Sequence, residues 1–224
     1  HHYKNAYDNR VKLEKAVEVA TWIGAETVNT GVSGYTYSKE PSSTERGGSI
    51  SLGSSREATE EDFARAAKGL REVSTMAGAH GINITIEVHQ HSIADNSSST
   101  LHILDLADSP NLFANPDLGN ILWTYETPDE TPEDAILALA SRSKYWHCKN
   151  LHRINVPEME SSYFVRVPLP DGDLDYRFAI SAMINADYDG FLAVEGATSG
   201  DAISADHRSF TYVKNLLKEI NERK

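Results

Sequence analysis

The sequence contains one cysteine, Cys148, and has fewer basic than acidic residues. A lone cysteine excludes an internal disulfide framework and weakly favours a cytoplasmic location. The 21 Lys and Arg residues stand against 33 Asp and Glu residues, which gives a net charge of −12. Nucleic-acid binders present basic surface, so a nucleic-acid partner is not expected. No apolar run approaches the roughly 18 residues that cross a bilayer, so no membrane partner is expected either.

The composition, 40% hydrophobic and 24% charged, fits a single globular domain over residues 1–224. Apolar residues at helical spacing alternate with short strand-like segments, with no linker and no low-complexity tract. Helices are predicted over residues 10–24, 59–78, 99–107, 131–140, 174–186 and 210–220. Residues 26–30 predict a strand. Two long stretches, residues 31–56 and 151–173, are predicted to be irregular loops over a functional site.

Four further strand-like segments each carry a residue that can bind a divalent metal. They are Ile84–His89, Phe113–Asp117, Tyr145–Lys149 and Phe191–Glu195. A βα repeat with acidic and imidazole side chains at the carboxyl ends of its strands is how a parallel barrel builds an active site. The oxygen-rich set formed by Glu87, Asp117, His147 and Glu195 suits Mn²⁺, Mg²⁺ or Co²⁺ better than a thiolate-rich zinc site does.

Each of these residues also has an alternative interpretation when it is taken alone. A single glutamate after a strand is more often a helix N-cap or a surface acid, and Asp117 before Leu-Gly suits a plain turn. His147 on an apolar strand suits a hydrogen-bonded core histidine. The metal interpretation therefore depends on the ordered set of four.

Such a site suits proton removal next to a carbonyl group. A divalent cation acts as a Lewis acid that stabilises the developing negative charge. Glu87 and Glu195 come from strands far apart in the sequence, and a barrel can place one on each side of the reacting carbon as catalytic carboxylates. His89 lies two residues after Glu87 and is expected on the same side of the strand, as a substrate contact or an alternative base.

The chain resembles the sugar phosphate isomerase/epimerase superfamily, the xylose isomerase-like TIM barrels that include ketose 3-epimerases and inosose dehydratase. The similarity runs from about Arg10 to the C-terminus and corresponds to strands four to eight of that (β/α)8 fold. The matching segments are 86–89, 115–120, 147–150, 169–176 and 188–196.

The resemblance implies a metal site and a substrate site. The metal ligands would be Glu87, Asp117, His147 and Glu195, holding one divalent ion, with Mn²⁺ preferred over Mg²⁺ or Co²⁺. Asn120 stands where many relatives have a substrate-contacting histidine, which leaves the identity of the substrate open. The substrate-binding residues would be His89, Asn120, Lys149 and Arg153.

Three functions follow from the resemblance. The first is an isomerase or epimerase acting on a small sugar or polyol. The second keeps the metal site but eliminates a leaving group, as in an inosose dehydratase or a C-glycoside deglycosidase. The third, a DNA-repair endonuclease of the same fold, needs a basic face that this acidic chain lacks. Homo-oligomerisation is left open.

The number of predicted strands falls short of a complete barrel. Five βα units are recognisable, whereas a closed barrel has eight. Either about three further units, roughly 60–90 residues, precede His1 in the natural protein, or His1-His2 is the remnant of an affinity tag. We expect the first, because residues 3–9 lead directly into a helix with no strand before it. Those units are expected to add substrate contacts but no metal ligand.

Overall fold

A computed structural model of the protein describes residues 2–32, 54–90, 92–124, 127–196 and 200–222. The helices are α1 (His2–Ile23), α2 (Glu60–Gly78), α3 (Ser97–Ala107), α4 (Leu118–Leu122), α5 (Pro132–Leu139), α6 (Tyr176–Asn185) and α7 (Ala202–Glu222). The strands are β1 (Thr27–Thr30), β2 (Asn83–Glu87), β3 (Leu112–Asn115), β4 (Tyr145–Cys148), β5 (Asn150–Val156), β6 (Ser161–Val167) and β7 (Phe191–Val194). The first predicted loop, residues 31–56, lies almost entirely outside the described residues.

Five of these strands run parallel and include every strand that the sequence predicted. β2 pairs with β1 on one side and with β3 on the other, and β4 pairs with β7. A parallel bridge between Ala114 and Ser143 connects β3 to the residues that lead into β4. The carboxyl ends of β1, β2, β3, β4 and β7 therefore lie at one edge of the sheet.

Strand β2 shows how this arrangement separates the core from the site. Ile84 and Ile86 are fully buried in the hydrophobic core that the helices share. The alternate residues, Thr85 and Glu87, point to the opposite face of the strand, where Thr85 contacts Asn29 of β1. Polar side chains of the strands thus collect on the face away from the helices.

Local signals in the sequence fix several helix ends. Thr59 and Asp62 form a capping box at the start of α2, each side chain accepting a hydrogen bond from the other residue's backbone N–H. Gly24 ends α1 with a φ of 75°, which a glycine adopts without strain. None of the described helices combines the length and apolarity that crossing a membrane requires.

The prediction of an irregular stretch over residues 151–173 was wrong. Strands β5 and β6 form an antiparallel hairpin, with Arg153 opposite Phe164. Its turn contains Pro157–Met159 and then Glu160, which has a φ of 46°. Both faces of the hairpin mix polar and apolar side chains, so the alternation of hydrophobicity that marks a strand is weak here.

Candidate metal centre

Three of the predicted ligands meet at the carboxyl ends of neighbouring strands. Glu87 is the last residue of β2, His147 lies within β4, and Asp117 follows β3 and caps α4. Each offers a ligand atom, and these atoms lie within 4.8 Å of one another. The parallel register that sets Glu87 beside Asn115 and the bridge from β3 toward β4 bring the three side chains to one point.

The two carboxylates give the cluster a negative electrostatic potential. His147 Nδ1 lies 3.5 Å from Glu87 Oε2 and 3.8 Å from Asp117 Oδ2. Burial disfavours the imidazolium, but the two carboxylates outweigh it and raise the pKa of His147 to about 9. Burial also opposes the ionisation of Glu87, yet the charge contact with His147 and a hydrogen bond from Asn29 lower its pKa to about 2. The same negative potential favours a bound metal cation.

Two buried atoms of the cluster have no hydrogen-bond partner among the described residues. They are Asp117 Oδ2 and His147 Nδ1. Both atoms lie in charge contacts but make no hydrogen bond, and two such buried atoms side by side suggest a further ligand. Carboxylate oxygens and an imidazole nitrogen are suitable donors for Mn²⁺, Mg²⁺ or Co²⁺. The residues present therefore fit a divalent ion, which Glu87, Asp117 and His147 would hold.

Glu195, the fourth predicted ligand, is bound by two cationic side chains. It directly follows β7, and its backbone N–H donates to the Cys148 carbonyl at 2.9 Å. Its carboxylate accepts hydrogen bonds from Lys149 Nζ at 2.8 Å and from Arg166 at 3.1 Å. Burial raises the pKa of Glu195, but Lys149 and Arg166 outweigh it, so the pKa lies below its ordinary value.

Lys149 connects Glu195 to the three-residue cluster. Its side chain is only 3% exposed, and Nζ lies 3.0 Å from Asp117 Oδ2, a charge contact without hydrogen-bond geometry. Asp117 is fully buried, and burial raises the pKa of its carboxyl group. The fourth acid therefore lies beside the cluster, with a buried lysine between it and Asp117.

The amino-acid sequence matches the family described as Xylose isomerase-like TIM barrel over residues 5–214. This match covers nearly the whole chain. The chain belongs to this family. The predicted α/β fold class, a (β/α)8 TIM barrel, is thereby confirmed, as is the resemblance on which it was based.

Two curated relatives of this barrel are dehydratases. The chain is 25% identical to 3-dehydroshikimate dehydratase of Bacillus anthracis over 151 residues, 63% of this chain and 52% of the relative. It is 23% identical to inosose dehydratase of Clostridium perfringens over 145 residues, 61% of this chain and 48% of the relative. The chain thus spans about half the length of these relatives.

A solved member of the family has a similar fold. It is a xylose isomerase-like TIM barrel protein from Mycobacterium smegmatis, determined in complex with magnesium. The TM-score is 0.78 at 20% identity, and the alignment covers 96% of this chain and 69% of the solved one. At this identity the similarity establishes the fold alone.

Two of the predicted substrate-binding residues, Asn120 and Lys149, contact the cluster. Asn120 donates to Glu87 Oε1 at 3.2 Å and to the Val88 carbonyl at 2.9 Å. His89 lies close enough to Glu87 that a proton on its ring lowers the pKa of Glu87, after the larger effects of burial, His147 and Asn29. Arg153, on the hairpin, donates from Nε to the Thr124 carbonyl at 2.8 Å. Together with Lys149, these residues remain proposed substrate contacts.

Sequence reasoning missed two residues that bind the carboxylates. Asn29 in β1 donates to Glu87 Oε2 at 2.9 Å, and Arg166 in β6 contacts Glu195. The position of Asn29 at the carboxyl end of a predicted strand was a usable signal. Arg166 gave no such signal, because it lies in the segment that was predicted to be irregular.

Proposed function

We propose that this chain carries the site of a divalent-metal-dependent enzyme that removes a proton next to the carbonyl group of a small sugar or polyol derivative. The observation that supports the proposal is the convergence of Glu87, Asp117 and His147 at three neighbouring strand ends, with their ligand atoms within 4.8 Å. A metal ion bound there would act as a Lewis acid on a substrate oxygen. The low pKa of Glu87 suits a permanently charged ligand.

Elimination of a leaving group is the reaction that the surrounding residues favour. An epimerase that moves a proton between two faces of one carbon needs a proton acceptor on each face. Glu195 is a weak acceptor, because Lys149 and Arg166 stabilise its ionised form. An elimination needs only one base, together with a proton donor near the departing group. Both curated relatives named above are dehydratases, which is consistent with this reaction.

His89 is the base that we assign to the elimination. Its Nδ1 contacts the carbonyl oxygen of Gln90. A carbonyl oxygen accepts but cannot donate, so the neutral ring carries its proton on Nδ1 and its lone pair on Nε2. Nε2 would then take the proton from the carbon next to the carbonyl, and that electron pair would form the C=C bond as the C–O bond at the next carbon breaks. Lys149, which contacts Asp117 and Glu195, would donate a proton to the departing oxygen.

Isomerisation or epimerisation is the second candidate. The observation in its favour is that Glu87 and Glu195 come from the non-adjacent strands β2 and β7 yet lie at the same end of the parallel strands. In this alternative Glu87 and Glu195 are the catalytic carboxylates, and one of them returns the proton that the other removes.

The experiment is a substrate panel with the Mn²⁺-loaded full-length protein in D₂O. The panel contains ketoses, inososes and 3-keto-glycosides, and products are followed by NMR and mass spectrometry. Elimination predicts loss of water or of an aglycone, together with a conjugated carbonyl product. Epimerisation predicts deuterium at one carbon of a product that keeps every oxygen. Failure of the wild-type protein to bind Mn²⁺ in calorimetry would refute both candidates.

Variants assign the base. His89→Gln should lower elimination by about 10²–10⁴-fold, the usual contribution of a positioned base. Epimerisation instead requires Glu195→Gln to abolish turnover while His89→Gln keeps most of it. The matched control is His102→Gln, because His102 is a partly exposed residue of α3 that pairs with Glu60.

A further inference from the structure

Two asparagine side chains connect one proposed ligand to another across four strands. The backbone N–H of His147 donates to Asn115 Oδ1 at 2.7 Å. Asn115 Nδ2 donates to Asn29 Oδ1 at 3.2 Å, and Asn29 Nδ2 donates to Glu87 Oε2 at 2.9 Å. We call Asn29 and Asn115 the amide pair. It runs from β4 through β3 and β1 to the carboxylate on β2.

The two ends of the amide pair determine the orientation of both side chains. A backbone N–H can only donate, so the atom of Asn115 that faces His147 is its oxygen. An ionised carboxylate can only accept, so the atom of Asn29 that faces Glu87 is its nitrogen. The remaining nitrogen of Asn115 and oxygen of Asn29 then face each other as donor and acceptor. The contacts are therefore mutually consistent in one arrangement only.

Thr85 adds a further restraint to the amide pair. Its hydroxyl donates to Asn29 Oδ1 at 2.9 Å, so this oxygen accepts two hydrogen bonds. Thr85 and Asn115 are both fully buried, and a buried hydrogen bond is electrostatically stronger than one in water. The carboxamides bind Glu87 without adding a positive charge. They therefore restrict its rotation while leaving its negative charge available to a cation.

We propose that Asn29 and Asn115 are positioning residues that hold Glu87 and His147 at the separation that one divalent ion requires. This inference rests on the proposed function, since it takes both residues as ligands. Groups that orient metal ligands typically contribute 10–100-fold in metal affinity, because a free ligand loses side-chain entropy on binding. Asn29 contacts the Glu87 carboxylate directly, so a substitution at Asn29 is the most direct test of the proposal.

The test measures metal binding rather than turnover. Wild type, Asn29→Ala, Thr85→Val and Asn83→Ala are titrated with MnCl₂ by calorimetry, and the visible spectrum of each Co²⁺-loaded protein is recorded. Asn83 is the matched control, because it is an asparagine at the opposite end of β2 whose amide contacts Asn111. Asn29→Ala should weaken Mn²⁺ binding by about 10–100-fold and change the Co²⁺ spectrum. Thr85→Val should produce a smaller loss, and Asn83→Ala none.

The outcomes separate this inference from the function on which it rests. If wild type binds no metal, the proposed function fails first. If wild type binds Mn²⁺ and Asn29→Ala binds it equally well with the same Co²⁺ spectrum, the positioning role is refuted. Should Asn29→Ala not fold, Asn29→Leu is measured instead, because it keeps the volume of the amide. If neither folds, an unchanged Mn²⁺ affinity in Thr85→Val overturns the proposal.

Discussion

Glu87 and Glu195 lie at the same end of the parallel strands but are bound in opposite ways. Both oxygens of Glu87 accept hydrogen bonds from neutral amides, Asn29 on one side and Asn120 on the other. Both oxygens of Glu195 accept hydrogen bonds from cations, Lys149 and Arg166. Neutral donors add no positive charge, so the charge of Glu87 is offset only by its contact with His147, which a metal ion would replace, whereas two permanent cations offset Glu195.

This contrast divides the site into two parts. Around Glu87, two carboxylates and His147 form a cluster with an excess of negative charge, which suits a metal ion. Around Glu195, the carboxylate contacts Arg166 and also Lys149, which it shares with Asp117, and any group that displaces the carboxylate finds positive charge there. We infer that the first part favours metal binding and that the second favours an oxygen of the substrate or of the leaving group.

The largest effect is expected when the carboxylate charge of Glu87 or of Glu195 is removed in separate variants. Glu87→Gln should weaken Mn²⁺ binding on the order of 100-fold or more, since it removes a proposed ligand, and should lower turnover by about 10²–10⁴-fold. Glu195→Gln should lower turnover comparably but reduce Mn²⁺ affinity less. Calorimetry and steady-state rates measure both. Equal losses of metal affinity in the two variants would contradict the division.

Removing the buried lysine should have the next largest effect. Lys149→Met keeps most of the side-chain volume but leaves Asp117, which is fully buried, without its cation. Breaking a buried ion pair from one side typically costs about 3–5 kcal/mol of unfolding free energy. Urea denaturation of the metal-free protein measures this cost. The matched control is Arg177→Met, which breaks the exposed pair with Glu219 and should cost less than about 1 kcal/mol.

The convergence of Glu87, Asp117 and His147 was largely predictable from sequence. Apolar strand patterns and the parallel βα repeat require carboxyl ends to meet, so residues such as Glu87 and His147 could be placed together without a structure. Their ligand chemistry is a property of residue type, which the sequence states directly. The short capping signals at Thr59 and Gly24 were predictable for the same reason, because each acts within a few residues.

The partners of the two glutamates were not predictable in the same way. Asn29 lies 58 positions from Glu87, and Arg166 lies 29 positions from Glu195. Such contacts depend on strand register and on the path of a hairpin that lacks a clear hydrophobic alternation. The sequence indicates which side chains can bind a metal, but the charges that surround Glu195 emerge only once the hairpin is folded over the site.

Gly119 lies beside Lys149, and a methyl group added there should disturb the contact between Lys149 and Glu195 less than removal of the lysine does. A Cβ added at Gly119 would lie 2.4 Å from Lys149 Cγ, so Gly119→Ala must displace the lysine stem. Overpacking of this kind costs about 1–3 kcal/mol. Urea denaturation should show that loss, and turnover should fall as Lys149 moves from Glu195. At Gly31 an added Cβ meets no atom of the described residues within 4 Å, so Gly31→Ala is the control and should show neither change.

The smallest effect is expected at Arg166, the second cation on Glu195. Its side chain lies over the Trp123 ring at 5.2 Å, and Glu195 keeps Lys149 when Arg166 is removed, so Arg166→Met should cost only about 0.5–1 kcal/mol at neutral pH. The cationic partners of Glu195 lower its pKa. The ion pair therefore stabilises the folded state at any pH above the ordinary pKa of a glutamate, and this stabilisation is lost as the pH falls through the lowered pKa.

The difference in unfolding free energy between wild type and Arg166→Met should therefore be largest at neutral pH. It should shrink in acid, because a protonated Glu195 carries no charge for Arg166 to pair with. NMR titration of Glu195 should show a higher pKa in this variant and a still higher one in Lys149→Met, because Lys149 is the larger of the two influences. Arg208→Met, which breaks an exposed pair with Asp171, should leave the pKa of Glu195 unchanged. A difference in stability that persists undiminished in acid would show that Arg166 acts by packing on Trp123 rather than by its charge.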